Sequence, residues 1–517
     1  MHDAYGGYYK MLSILHEHLF LINLNNFTSN SKSMRIFFSV SVLLMLSAAT
    51  IAQGFKVTLQ SPNYKNGLTY LTYYYGKNIN IEDSAIISDK GVAIFEKKEK
   101  LQPGVYSIVF PGKNKLYDFL VDKEQVISIK ADTSDLINKT IVTGSRENIL
   151  FQKYQKFVAS KGDNLQREIT AYKNSKTKSD SLLHEKNYNE LNKELNDYRD
   201  NIIKENPESM LAALLTSMKE PKILNAKPVT RQDSIDNYDY YKKHYWDGIS
   251  FMDDRIIRTP FFLPKVERYF REVLSPSPDS IIRESDYLLL RARTAPEMYK
   301  FLLNWLTDEY INPKYMGQDA VFVHLFEKYH SKGVSSWLNE KQMTAISNRA
   351  YMLMSNLIGE QAANLEMVDS TGNPRSLYDV NAPYTIVCFW DPTCSHCREE
   401  VPKMDSIFHA KWEKEGVKMY GVLTDTKEQP KWREFINKYN LQSWINVYQT
   451  EGQKKIEEDA KKPSYKQLYD VTQTPTLYLL DKDKRIIAKK LTWQQMDDVL
   501  QMKINNKPLN NTNNAQK

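Results

Sequence analysis

The rhythm of apolar and polar positions changes along the chain, and each change marks a new kind of structure. From Phe55 to about Val142, short runs rich in β-branched and aromatic residues fall at 56–59, 67–75, 92–95, 105–110, 116–121 and 125–130. Turn signals such as Asp89-Lys90-Gly91 and Pro111-Gly112-Lys113 separate them. This pattern predicts a small antiparallel β sandwich or barrel over residues 53–143.

After Gly144-Ser145 the spacing lengthens to a helical one and holds to about Gly359. Tyr188, Leu191, Leu195, Tyr198 and Ile202 line one face of a helix that ends near Asn206-Pro207. Two heptads are too few for a coiled coil and point to a helix packed in a bundle. Further helices are predicted at 211–218, 264–273, 298–310, 320–329 and 344–357. Residues 144–358 therefore read as an all-α middle domain. Its aromatic cluster, Tyr238, Tyr240, Tyr241, Tyr245 and Trp246, reads as core or domain interface. His324 and His330 have no partner at metal-ligand spacing and read as structural histidines.

From Gly359 to about 505 the two rhythms alternate. A hairpin is predicted over 365–377 with Thr371-Gly372-Asn373 at its turn, and 384–390 is a continuous apolar run of the kind found in a strand covered on both faces. Strands at 417–423, 444–448, 476–480 and 485–488, with helices at 431–439 and 493–502, complete a sheet sandwiched by helices. The Asn-rich residues 506–517 are expected to be a disordered tail.

Composition adds little that the rhythm does not, with 41% hydrophobic and 26% charged residues placing the chain among folded proteins. The 70 Lys and Arg are scattered among 63 Asp and Glu, leaving no basic stripe for nucleic acid. Met34-Arg35, an apolar stretch from Ile36 to Leu46, and small residues around Ala48, Ala49 and Ala52 form an export pattern. Residues 34–52 are thus expected to be a signal peptide, cleaved before Gln53, and residues 1–33 an extension upstream of the true start. If uncleaved, the same segment would hold the protein at the membrane.

In an exported chain of 517 residues, three cysteines are too few for a disulfide framework. They stand at 388, 394 and 397, a clustering that points to chemistry. Cys394-Ser395-His396-Cys397 leaves a buried strand and enters a helix. Two cysteines at this spacing close a small disulfide with little backbone movement. Cys394, at the helix N-terminus, is expected to be the more acidic, exposed and nucleophilic thiol. Cys397, one turn in, is expected to resolve the mixed disulfide. The alternatives are a zinc site, which needs two further ligands, and a peroxidatic cysteine, whose surrounding Pro and Thr spacing is missing.

With these residues in view, 359–505 resembles the thioredoxin superfamily, in particular the exported TlpA-like and ResA-like disulfide reductases. Trp390 and Pro402 stand where that family carries a tryptophan and a helix-kinking proline, and Thr474-Pro475-Thr476 resembles its cis-proline loop. The resemblance implies substrate-positioning roles for Trp390, Pro392, His396, Thr474 and Pro475. It also implies a proton-accepting role for Glu400, three residues after Cys397 as in ResA-like proteins. Cys388 stands where thioredoxins carry a buried aspartate, which puts that carboxylate's role in doubt here. The whole order, β domain, helical domain and TlpA-like domain, resembles large exported proteins of Gram-negative bacteria.

The combined expectation is a periplasmic or envelope thiol-disulfide oxidoreductase that needs no metal and no organic cofactor. Its implied partners are disulfide-containing envelope proteins and a membrane thiol electron donor. His396 leans toward an oxidase or isomerase of the same fold. A non-catalytic thioredoxin-like module that binds an envelope ligand is the reading from another class.

Overall fold

The computed structural model describes residues 54–505, so the expected upstream extension, signal peptide and Asn-rich tail lie outside the described residues. The chain divides into two compact units. Among the described residues, one is drawn from 54–71, 82–102 and 107–159, the other from 72–81, 103–106 and 160–505.

The N-terminal strands are β1 (Phe55–Gln60), β2 (Leu68–Tyr75), β3 (Asn78–Ile86), β4 (Val92–Lys97), β5 (Gly104–Val109), β6 (Leu116–Val121), β7 (Val126–Lys130) and β8 (Ile141–Thr143). Among the described residues they form two four-stranded sheets, β4-β1-β7-β8 and β3-β2-β5-β6, and no closed barrel. One expectation needs correcting: β1 and β7 pair in parallel, so the module is mixed. In β1, Phe55, Val57 and Leu59 are buried while Lys56 and Thr58 are not, the period-two pattern of a strand with one face on a core.

The middle region is helical. Long helices at Arg146–Asn174 and Lys178–Glu205 are followed by Met210–Ser217, Arg231–Lys243, Phe262–Arg268, Pro278–Ala292, Pro296–Tyr310, Asp319–Lys328 and Glu340–Met354. Its core gathers Tyr245 and Trp246 of the aromatic cluster with Phe262, Tyr269, Phe270 and Leu302. His330 is buried between the Thr307 and Ser335 hydroxyls, each 2.8 Å away, and His324 lies 2.9 Å from the Asp286 carboxylate.

The C-terminal sheet holds β9 (Glu366–Asp369), β10 (Pro374–Ser376), β11 (Tyr384–Trp390), β12 (Val417–Leu423), β13 (Ile445–Tyr448), β14 (Thr476–Asp481) and β15 (Ile486–Lys489) in the order β10-β9-β13-β12-β11-β14-β15. The central strand β11 runs parallel to β12 and antiparallel to β14. Its side chains serve two cores. Ile386, Cys388 and Trp390 pack on one face with Cys397, Val401 and Met404 of the Ser395–Ile407 helix, while Val387 and Phe389 pack on the other with Tyr420, Tyr469 and Tyr478. The unbroken apolar run of β11 follows from this double coverage. Among the described residues, no helix is long and apolar enough to cross a membrane.

Candidate active site

The site begins where β11 ends. Asp391 turns the chain: its Oδ1 accepts from Thr393 N (2.7 Å) and Thr393 Oγ1 (2.6 Å), and its carbonyl accepts from Cys394 N (3.2 Å). That turn sets Cys394 at the N-cap of the Ser395–Ile407 helix, with extended backbone (φ −69°, ψ 127°) and no side-chain cap. The first N–H groups of the helix are thereby left for the sulfur. Trp390's carbonyl is held by Thr424, through its N–H at 3.0 Å and its hydroxyl at 3.2 Å, which ties the turn to the end of β12.

The two thiols of the pair, both free, differ sharply. Cys394 is half-buried. Burial pushes its thiol up, but the backbone N–H of Cys397, the Thr474 side chain and the backbone N–H of His396 outweigh it and bring the group down to about 7. Cys397 is fully buried, and burial pushes its thiol up to about 12 although the Asp391 N–H points at its sulfur (3.5 Å). Cys388 is also fully buried, and burial holds its thiol well above the ordinary value.

The Thr474-Pro475 peptide is cis, and this loop faces the pair: the Cys394 Sγ–H donates to the Thr474 carbonyl at 3.4 Å. The Thr476 hydroxyl donates to Gln473 O at 2.7 Å and steadies the loop from behind. His396 is exposed between the cysteines, and Pro392 is buried beneath the turn. Trp390 does not reach the surface. The alternation of β11 sends it into the core on the helix side, 5.2 Å from the Phe435 ring, where it supports the turn from below.

Glu400 lies one turn beyond Cys397. Its Oε2 accepts from Trp493 Nε1 (2.9 Å) and its Oε1 from Lys403 (2.9 Å), so a side chain 93 positions later in the sequence orients this carboxylate. Asp391, Thr424 and Trp493 are members of the site that the sequence pattern does not single out. The Asp391-Pro392-Thr393 spacing of an Asx-turn is a usable signal for the first. Among the described residues, no group of three or more His, Cys, Asp or Glu is disposed to hold a metal ion.

Comparison with known proteins relates parts of the chain to known families. The AhpC/TSA family matches residues 358–489, while two domains of unknown function, DUF5106 and DUF4369, match residues 182–356 and 55–151. A thiol-disulfide oxidoreductase ResA of Bacillus cereus is 26% identical over 147 residues, covering 28% of this chain and 77% of that protein. A crystal structure of a domain of a possible thiol-disulfide isomerase from Cytophaga hutchinsonii is 37% identical, with a TM-score of 0.25 over 29% of this chain and 95% of that one. A thioredoxin-like protein from Bacteroides caccae is 22% identical, with a TM-score of 0.40 over 55% of this chain and 98% of that one. The C-terminal region of the chain is thus an AhpC/TSA thioredoxin-like domain, homologous to the ResA thiol-disulfide oxidoreductases.

Proposed function

We propose that this protein is a periplasmic dithiol-disulfide oxidoreductase that reduces disulfides of envelope proteins through Cys394 and Cys397. The observation that carries this reading is the split between the two thiols, one half-buried and near 7, the other fully buried and near 12. Cys394 thiolate attacks one sulfur of a substrate cystine, forming a mixed disulfide and releasing the other substrate sulfur as a thiolate, which takes up a proton. Cys397 then loses its proton and attacks Cys394 Sγ. The Cys394–Cys397 disulfide forms, the second substrate thiolate leaves, and the substrate has gained two electrons.

The high Cys397 value demands a proton acceptor for the second step. Glu400 is proposed for it, reached once Trp493 or Lys403 releases a carboxylate oxygen or through a bridging water. Thr474 and Pro475 are proposed to receive the substrate backbone beside Cys394, with Pro392 and Trp390 holding the turn. Electrons to restore the dithiol would come from a membrane thiol carrier, a partner proposed from the family. The envelope location rests on the export pattern at 34–52. One observation bears on the opposite direction of electron flow: His396 is exposed between the cysteines, where the intervening side chain tunes the reduction potential of the pair.

Insulin reduction by the full chain in dithiothreitol tests the proposal. Cys394→Ser is expected to fall to the uncatalysed rate, and Cys397→Ser to accumulate a mixed disulfide with substrate. Full activity in Cys394→Ser, or none in the wild type, would contradict it.

A further inference from the structure

The loop that carries Thr474 runs from Val471 to Pro475, between the buried Asp470 and the start of β14 at Thr476. Thr474 meets the redox pair in two ways. Its carbonyl accepts from Cys394 Sγ–H at 3.4 Å, and its side chain is among the groups that bring that thiol down to about 7. Thr472 and Gln473 are exposed, so the place of the loop depends on how its two ends are held. The far end is held by the sheet, where the Thr476 hydroxyl donates to Gln473 O at 2.7 Å.

The near end is held by three successive residues, each pinned separately. Leu468 O accepts from Asn356 Nδ2 at 3.0 Å, and Tyr469 O accepts from the Tyr478 hydroxyl. The Asp470 carboxylate lies between Arg349 Nη1 (2.6 Å) and the Lys490 ammonium. Burial pushes this carboxyl up, but the two cations outweigh it and hold it below the ordinary value. Asp470 also turns the chain with a left-handed backbone (φ 46°), which is uncommon outside glycine and kept where contacts enforce it.

Tyr478 and Lys490 come from the sheet and its edge, whereas Arg349 and Asn356 come from the helical region. Asn356 is fully buried, its Nδ2 also donating to Met352 O (2.7 Å) and its Oδ1 accepting from Lys489 (2.6 Å). Arg349, on the Glu340–Met354 helix, is braced from behind, since its Nε donates to Ile311 O at 3.0 Å. Lys490 alone balances the charge of Asp470. A second cation adds little to that balance, but a planar guanidinium held at two of its nitrogens fixes where the carboxylate sits.

We infer that Arg349, backed by Asn356, is a positioning residue for the redox site: it sets the near end of the Thr474 loop and so the approach of Thr474 to Cys394. The inference rests on the proposed dithiol chemistry and gives the helical region a part in it, because that region holds the loop in place without touching either sulfur.

The test uses the full chain and follows alkylation of Cys394 by iodoacetamide against pH, with the label assigned by mass spectrometry. Arg349→Gln leaves Lys490 on Asp470. It is expected to raise the midpoint by about half a unit to one unit, so that alkylation at pH 7 slows about twofold to fivefold. Arg349→Lys keeps the charge but loses the Ile311 contact. Its rise is expected to be smaller and in the same direction, and it decides the case if Arg349→Gln does not fold. A loss of stability to urea with the midpoint unmoved is the mark of a purely structural ion pair and would overturn the assignment. Insulin reduction by the wild type separates the two readings. A raised midpoint in a protein that reduces no insulin keeps the positioning role and removes the reductase reading, while an unmoved midpoint in an active reductase does the reverse.

Discussion

At the scale of single residues, the proposed chemistry rests on a difference in exposure between two sulfurs three positions apart. Cys394 has helix N–H groups before it and the Thr474 loop beside it, whereas around Cys397 the apolar core outweighs the Asp391 N–H and the Thr474 side chain. Only a thiolate is alkylated, so the sign of the pH dependence follows directly. As pH rises through about 7, Cys394 ionises and its rate of alkylation by iodoacetamide climbs to a plateau. Two pH units below the midpoint the rate should be about 100-fold below that plateau. Cys397, pushed up to about 12, and the buried Cys388 should stay unreactive over the same range. A single midpoint near 9 would show that the helix N-terminus does not act on Cys394. Glu400 shows how a residue's neighbours escape a sequence reading: its place one turn past Cys397 is legible, but the indole of Trp493 that orients it comes from the last described helix of the chain.

At the scale of elements, legibility follows burial in several cases, although the helix Pro278–Ala292 escapes the sequence reading while burying Ile281, Leu288 and Leu289. Strand 384–390 is predicted at its observed bounds because both faces are covered and every position is apolar or small. The Lys178–Glu205 helix is legible through its apolar stripe, on which Leu195 and Ile202 are buried. The helices Arg231–Lys243 and Glu451–Asp459 escape the sequence pattern, and neither buries a single side chain, so neither carries an apolar period. Their start signals are present, since Thr230 with Asp233 and Thr450 with Gln453 form capping boxes. β3 escapes because it mixes exposed isoleucines, Ile79, Ile81 and Ile86, with Asn, Glu and Asp along a largely unburied strand. The parallel pairing of β1 with β7 is out of reach for another reason. A strand's own pattern says which face is buried and nothing about the direction of its neighbour.

At the scale of the whole molecule, the helical region and the thioredoxin-like sheet are tied by buried charge. The Lys489 ammonium, at the end of β15, donates to the Asp319 carboxylate and to Asn356 through its carbonyl (2.5 Å) and side-chain oxygen (2.6 Å), all of them buried. Nearby, Arg349 of the Glu340–Met354 helix and Lys490 share the buried Asp470, four residues before the Thr474-Pro475 bond. Removing one partner of a buried pair leaves the other uncompensated, so Lys489→Met is expected to destabilise the protein by roughly 3–5 kcal/mol. Asp319→Leu added to it should recover most of that loss, since two apolar groups bury without an orphaned charge. Urea unfolding of the two variants measures both effects, and a single variant as stable as wild type would show that the contact contributes nothing.

The central claim is that Cys394 and Cys397 form a reversible dithiol couple used for reduction. Its most direct test is the reduction potential of the pair, measured in dithiothreitol or glutathione redox buffers with Cys388→Ala as background. A value near about −270 mV, that of a thioredoxin, is the predicted result. A value near about −120 mV would make the protein an oxidant, and the absence of any reversible two-electron couple would contradict the account outright.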